Sequence, residues 1–231
     1  MPWFSAPRSP SEVAPPPGHR SAALTAILDS LPPGSRHAVL DLGPSIAGNI
    51  RLLSALSCRV RVADLVRSLS AEPVESRRPE AMAALYDRLL PLAADERFDA
   101  LLAWDVFDYM RPDQVSSLMA RLTPACRPGA LALVLLSTRP QMPARPALYR
   151  IVDRERLAHD GPSHPLRPCP RYGPHDLARM MPGFSVRRSF LLRSGIQELL
   201  LARRESEGPS GAQDTGKVAG APPGRSWSRR G

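Results

Sequence analysis

The chain reads as one α/β domain built on a doubly wound, mostly parallel sheet that ends in an antiparallel hairpin. Three observations carry this. Short apolar runs alternate with segments of helical spacing between residues 21 and 136, which is how strands joined by crossover helices are written. Two of those runs stop at a carboxylate, Asp41 and Asp64. The last two runs, 184–192 and 196–203, are joined by Arg193-Ser194-Gly195, a hairpin turn in composition and length.

The elements follow in order. Residues 21–31 form a helix: Ser21 is a good N-cap, Leu24, Ile27, Leu28 and Leu31 share one face, and Pro32-Pro33-Gly34 ends it. Residues 38–42 are a buried strand, 47–57 a helix, and 59–63 a second strand closed by Asp64. Residues 79–90 are helical with Pro79 at the start. No clear strand lies between Asp64 and Phe98. Strand 98–104, helix 112–124 and strand 130–136 complete the parallel part. Residues 138–173 are Pro-rich and read as irregular, followed by a short helix at 174–181. No internal repeat is visible.

Composition sets limits. The 231 residues suit one domain, and 43% hydrophobic residues suffice for a core. Residues 1–20 and 204–231 are rich in Pro, Gly, Ser and charge and read as disordered ends, leaving 21–203 as the domain. The net charge of +9 is scattered arginine without interleaved aromatics, a solvated surface rather than a nucleic-acid face. Cys58, Cys126 and Cys169 are odd in number and far apart. That argues against a disulfide framework or a metal site and for reduced thiols in a cytoplasm. The N-terminal segment has no apolar stretch of the secretory kind, and no run is long enough to span a bilayer.

In a doubly wound sheet the ligand sits at the carboxyl ends of the strands. Four segments fall there. Residues 41–49 (DLGPSIAGN) leave a strand through small residues into a helix start, which lets the backbone approach a ligand. A plain strand–helix turn has the same composition. Asp64 is placed to accept from both hydroxyls of a ribose, although a helix N-cap looks the same in sequence. Residues 98–110 run from strand into a polar and aromatic cluster holding Trp104, Asp105, Asp108 and Tyr109. Residues 122–131 lead into the most apolar strand.

The succession VLDLGPSIAGNI, RVRVADL, FDALLAWDVFDYM and LTPACRPGALALVLL resembles the motifs of class I S-adenosylmethionine (SAM)-dependent methyltransferases over residues 36–137. The resemblance implies a Rossmann-like fold whose antiparallel last strand is the terminal hairpin. It implies SAM as cofactor and methyl transfer to an acceptor, taken to be a small molecule. Asp41, Gly43 and Ser45 would form the turn against the methionine part, Asp64 would bind the ribose, and Ala103 and Trp104 would pass beside the amino group and methyl. Asp105, Asp108 and Tyr109 are the candidate catalytic residues, with Tyr172 and His175 as further titratable groups. The arginines of the Pro-rich insert, Arg145, Arg150, Arg154 and Arg171, read as solvent-facing.

The chain departs from that family in its turn: Ser45 and Ala47 stand where glycines are usual, and Gly48 lies one position late. A phosphate-binding loop is excluded because Asn49-Ile50 follows Gly48 where Lys and Ser/Thr are needed. A nicotinamide-binding turn would want a glycine at Ser45. The remaining alternative is a protein of this fold that binds a ligand or partner without catalysis.

Overall fold

The structure is a computed structural model, and it describes residues 18–73, 78–160 and 165–205. Strands β2 (His37–Asp41), β3 (Cys58–Val62), β4 (Phe98–Trp104) and β5 (Cys126–Ser137) are parallel. The hairpin strands β10 (Phe184–Leu191) and β11 (Ile196–Arg203) are antiparallel, β11 pairing with β5. The sheet order is β10-β11-β5-β4-β2-β3. This is the mostly parallel, doubly wound sheet with an antiparallel end that the sequence predicts.

Strand alternation sorts the core into two halves. Ala38, Leu40, Leu101, Ala103, Ala132, Val134 and Leu199 face one side. There they pack on α3 (Leu65–Ala71), α4 (Met82–Leu89), α5 (Pro112–Ala125) and α6 (Pro174–Met180). Val39, Ala100, Leu102, Trp104, Leu133, Leu135 and Leu200 face the other, against α1 (Ala22–Asp29) and α2 (Ala47–Ala55). Ser21 caps α1 by accepting from Leu24 N at 3.1 Å, and the buried Glu198 accepts from Ala23 N at 2.7 Å, tying α1 to β11.

Between Asp64 and Phe98 the described residues form α3, a 3-10 turn at Pro79–Ala81 and α4, with no strand. Helix α3, seven residues with two buried, has no readable apolar stripe. The sheet therefore ends at β3, and charge guards that edge: Arg59 and Arg61 reach Glu96 at 3.4 and 2.9 Å.

Three expectations need correction. Segment 138–173 is not irregular throughout. It holds β6 (Gln141–Pro143) paired with β9 (Leu166–Pro168), and β7 (Tyr149–Ile151) paired with β8 (Arg156–His159). Pro143 and Pro168 stand at the ends of β6 and β9, where no ladder donor is needed. The N-terminal boundary moves from 21 to 18: β1 (His19–Arg20) pairs with β8, and a Cβ on Gly18 would lie 2.9 Å from Leu157 O. Finally, Arg204 N donates to Gly183 O at 2.7 Å, so the chain is still tied to the domain beyond 203. The other residues expected to be disordered, 1–17 and 206–231, lie outside the described set. No described helix is long and apolar enough to cross a membrane.

Candidate functional site

The loops leaving β2 and β3 are zipped together at their carboxyl ends. Ala63 N donates to Asp41 O at 2.8 Å, Asp64 N to Gly43 O at 3.0 Å, and Leu65 N to Leu42 O at 2.9 Å. This holds Asp64 beside Gly43. Asp64 has left-handed backbone (φ +42°) and stands at the N-cap position of α3, yet its side chain caps nothing. A carboxylate in that place, free of the ordinary capping duty, is available to a ligand.

Beneath it a cavity of about 490 Å³ opens at the strand ends, a size suited to a small-molecule ligand. Gly43, Ile46, Asp64, Arg67 and Trp104 line it, and the insert residues 144–149 form its far wall. Trp104 closes β4 in left-handed backbone (φ +49°), a conformation costing about 1–2 kcal/mol in a residue with a Cβ. Its indole is fixed on three sides. Nε1 donates to Asp41 Oδ1 at 2.6 Å. The ring stacks on Tyr149 with centroids 5.7 Å apart and planes 4° from parallel. A Cβ on Gly43 would lie 2.6 Å from Cδ1.

Asp41 is 1% exposed, and Gly43 N also donates to its Oδ1 at 2.8 Å. Burial pushes its pKa up to about 6 against the pull of those two hydrogen bonds. The sequence-derived group thus divides. Gly43, Asp64 and Trp104 line the cavity. Asp41 is turned into the core, Ala103 is wholly buried on the opposite face of the sheet, and Ser45 is exposed on the turn; none of these three reaches the cavity wall.

A second cavity of about 380 Å³ lies beyond a wall formed by Asp105, Ala147 and Tyr149, residues shared by both spaces. Asp105 Oδ2 accepts from Ala147 N at 3.1 Å, while its Oδ1 is buried without a hydrogen-bond partner. Asp108, 2% exposed, repeats the arrangement: Oδ2 accepts from Ser137 N at 2.7 Å and Oδ1 has no partner. Burial pushes both carboxyls up to about 7; Asp108 adds to the rise at Asp105, and Arg167 draws Asp108 partly back. Tyr109 has a different task. Its hydroxyl lies 3.0 Å from Pro143 O and 2.8 Å from Arg145 O and shares its single hydrogen between them, pinning the insert, and burial together with the two carboxylates raises its pKa. Tyr172 donates to Met110 O at 2.6 Å and lines neither cavity, and His175 is exposed.

The insert is held by a residue that the sequence does not single out as a site residue. Asn49 on α2 is 1% exposed; its Nδ2 donates to Tyr149 O at 2.9 Å and its Oδ1 accepts from Ile151 N at 2.8 Å. It clamps β7, and with it the Tyr149 ring, over the first cavity. The signal was present in the sequence: an amide four residues before Leu53, within the apolar stripe of a helix. Of the insert arginines, Arg150 is paired with Asp160 and Arg154 with Asp29, both at the surface, and Arg145 lines the first cavity.

No protein-family model matches the chain, and no curated protein matches it. Solved structures do. The chain is similar to the glycopeptide N-methyltransferase MtfA complexed with S-adenosyl-L-methionine, at 16% identity over 79% of this chain and 93% of that one, with a TM-score of 0.43. It is similar to the 1,6-didemethyltoxoflavin-N1-methyltransferase of Burkholderia thailandensis with bound 1,6-didemethyltoxoflavin and S-adenosylhomocysteine, at 18% identity over 80% and 79%, with a TM-score of 0.43. It is also similar to the CcbJ methyltransferase from Streptomyces caelestis, at 16% identity over 85% and 99%, again with a TM-score of 0.43.

Proposed function

We propose that this chain is a SAM-dependent methyltransferase that binds SAM in the first cavity and methylates a small molecule held in the second. The observation that carries the reading is Asp64: an uncapped carboxylate at the end of the second parallel strand, beside Gly43, on the wall of a ligand-sized cavity. A ribose diol offers two donors to such a group. The residues present suit the cofactor: Asp64 would hold the ribose, and Ile46 would pack beside it. Bound SAM supplies a methyl group on a sulfonium, open to direct displacement.

The protein's share is mainly positioning, which supplies much of the rate in such reactions. Asp105 stands in the wall between the two spaces, and Tyr149 and Ala147 complete it. The free thiols of Cys58, Cys126 and Cys169 suit a cytoplasmic setting.

A second reading, a binding module without turnover, draws on Trp104. The room that Gly43 leaves is taken by the protein's own indole. Titration calorimetry with SAM and S-adenosylhomocysteine separates the methyltransferase from a module that has lost the cofactor pocket, and transfer of labelled methyl separates it from one that keeps the cofactor. Binding of both, weakened about ten-fold or more in Asp64→Asn, supports the methyltransferase. A folded protein that binds neither ligand would make the binding-module reading the better one. Asn is the right replacement because it tolerates the left-handed backbone of position 64, which Ala does not.

A further inference from the structure

We propose that His159 is the general base of the second cavity and that the methyl acceptor held there is a phenol. The inference rests on the methyltransferase reading and adds the base and the acceptor's chemistry to it. His159 ends β8 and lines the cavity. Its Nδ1 lies 3.0 Å from Asp160 O. A carbonyl oxygen can only accept, so Nδ1 carries the ring hydrogen in the neutral form. Nε2 is then the bare nitrogen, with a lone pair open to a donor. It has no hydrogen-bond partner among the described residues, and it is not shut off from solvent as His19 Nε2 is. Ring contacts hold the imidazole in place: Tyr149 packs against it with centroids 5.5 Å apart, and His19 meets it edge-on at 6.2 Å.

The neighbouring groups leave this task to His159. Asp105 and Asp108 bury their free oxygens, out of reach of a ligand. Asp160 is held on both oxygens by Arg150, at 2.7 and 3.1 Å. Arg139 lies along Gly195, its Nε 2.8 Å from where a Cβ on that glycine would stand. It brings to the same wall a guanidinium without an acidic partner among the described residues. A positive charge there favours an acceptor that turns negative as it gives up its proton. Leu135, Met142, Leu166 and Ile196 join the Tyr149 ring in the wall, a lining suited to an aromatic body. A phenol has the acidity of a tyrosine side chain, a pKa of about 10, within range of transfer to an imidazole as the new bond forms. An aliphatic alcohol is a far weaker acid, and an ammonium would face the like charge of Arg139.

His159 Nε2 takes the phenolic proton while an electron pair of the oxygen forms the O–C bond to the methyl carbon. The C–S bond breaks with its pair left on sulfur, so the sulfonium becomes a neutral thioether. The positive charge then sits on the imidazolium, which gives its proton to solvent.

The test uses the full chain with 4-ethylphenol, its methyl ether, 2-phenylethanol and phenethylamine. Long-range proton–nitrogen NMR of the free protein reads the tautomer, with the His159 signals assigned by their loss in His159→Gln. Nδ1 is expected to carry the hydrogen, and added 4-ethylphenol should shift Nε2. 4-Ethylphenol should bind about ten-fold more tightly than its ether, and labelled methyl should pass from SAM to it in preference to the alcohol and the amine. His159→Ala should lower that turnover about 100-fold or more, with part regained on adding imidazole, while S-adenosylhomocysteine affinity stays within about two-fold. The tautomer is read on the unaltered protein, so the proposal stays testable if His159→Ala does not fold.

The proposal is overturned if Nε2 carries the hydrogen, if the ether, alcohol or amine matches the phenol, or if folded His159→Ala keeps its turnover. It is overturned as well by a protein that binds S-adenosylhomocysteine but neither binds 4-ethylphenol at millimolar concentration nor methylates it. A protein that fails to bind S-adenosylhomocysteine overturns the methyltransferase reading instead. The tautomer and the preference for phenol over ether then still report on His159 without cofactor.

Discussion

Replacing Gly43 by Ala tests whether this glycine serves the fold or only a ligand. Its φ lies outside the left-handed region, so Ala meets no backbone penalty, and the effect is steric alone. The new Cβ would lie 2.6 Å from Trp104 Cδ1, 2.9 Å from Nε1 and 3.2 Å from Asp41 Oδ1. Two of these contacts are closer than atoms can approach, so the indole must move. It cannot do so freely, because one face is stacked on Tyr149 and its N–H is held by Asp41 at 2.6 Å. Overpacking of this kind costs about 1–3 kcal/mol. Loss of a hydrogen bond to a buried carboxylate adds about 1.5–3 kcal/mol.

Gly43→Ala is therefore expected to destabilise by about 3–5 kcal/mol, read by urea unfolding followed by far-UV circular dichroism. The partner is identified by a double-mutant cycle with Trp104→Leu. That substitution costs about 2–4 kcal/mol alone, but it removes the indole that Ala would strike. In its background Gly43→Ala should cost less by about 1.5 kcal/mol or more. A neutral Gly43→Ala, or one equally damaging with and without the indole, refutes the packing account.

Three further outcomes follow from the same geometry. Gly48, two residues inside α2 with nothing within 4 Å of its would-be Cβ, should gain about 0.5–1 kcal/mol on replacement by Ala, measured by the same unfolding curves. Asn49→Ala leaves Tyr149 O and Ile151 N without their partner. It should cost about 2–4 kcal/mol, speed hydrogen exchange at Ile151 and weaken SAM binding. Asp105 and Asp108 have folded pKa values raised from 3.8 to about 7, so the stability tied to them is full below pH ~4 and is lost as pH rises through ~7. Melting temperature should fall across that interval, and Asp105→Asn with Asp108→Asn should flatten the decline.

Much of the fold is legible because its signals are local. Helix spacing from Leu24 to Leu31, the apolar run of β5 and the turn at Arg193-Ser194-Gly195 each occupy one window of sequence, and each forms as expected. What escaped depends on partners far away in the chain. His19 becomes a strand residue because Leu157 lies opposite it. Strands of two to four residues are too short to display a period of two. Helix α3 has only seven residues, two of them buried, which is too little for a readable stripe.

The site divides along the same line, and the two acids that end strands make the point. Asp41 and Asp64 look alike in sequence, and only strand parity separates them. Asp41 lies two residues from Val39, on the face where Val39, Leu102 and Trp104 build the α1/α2 half of the core. A carboxylate on that face must find a buried donor, and Trp104 supplies it from 63 residues away. Asp64 stands two residues past the end of β3, where alternation no longer applies and left-handed backbone turns the chain. It is thereby released from the core and placed on the cavity wall. Of two similar acids, one holds the architecture and the other faces the cavity.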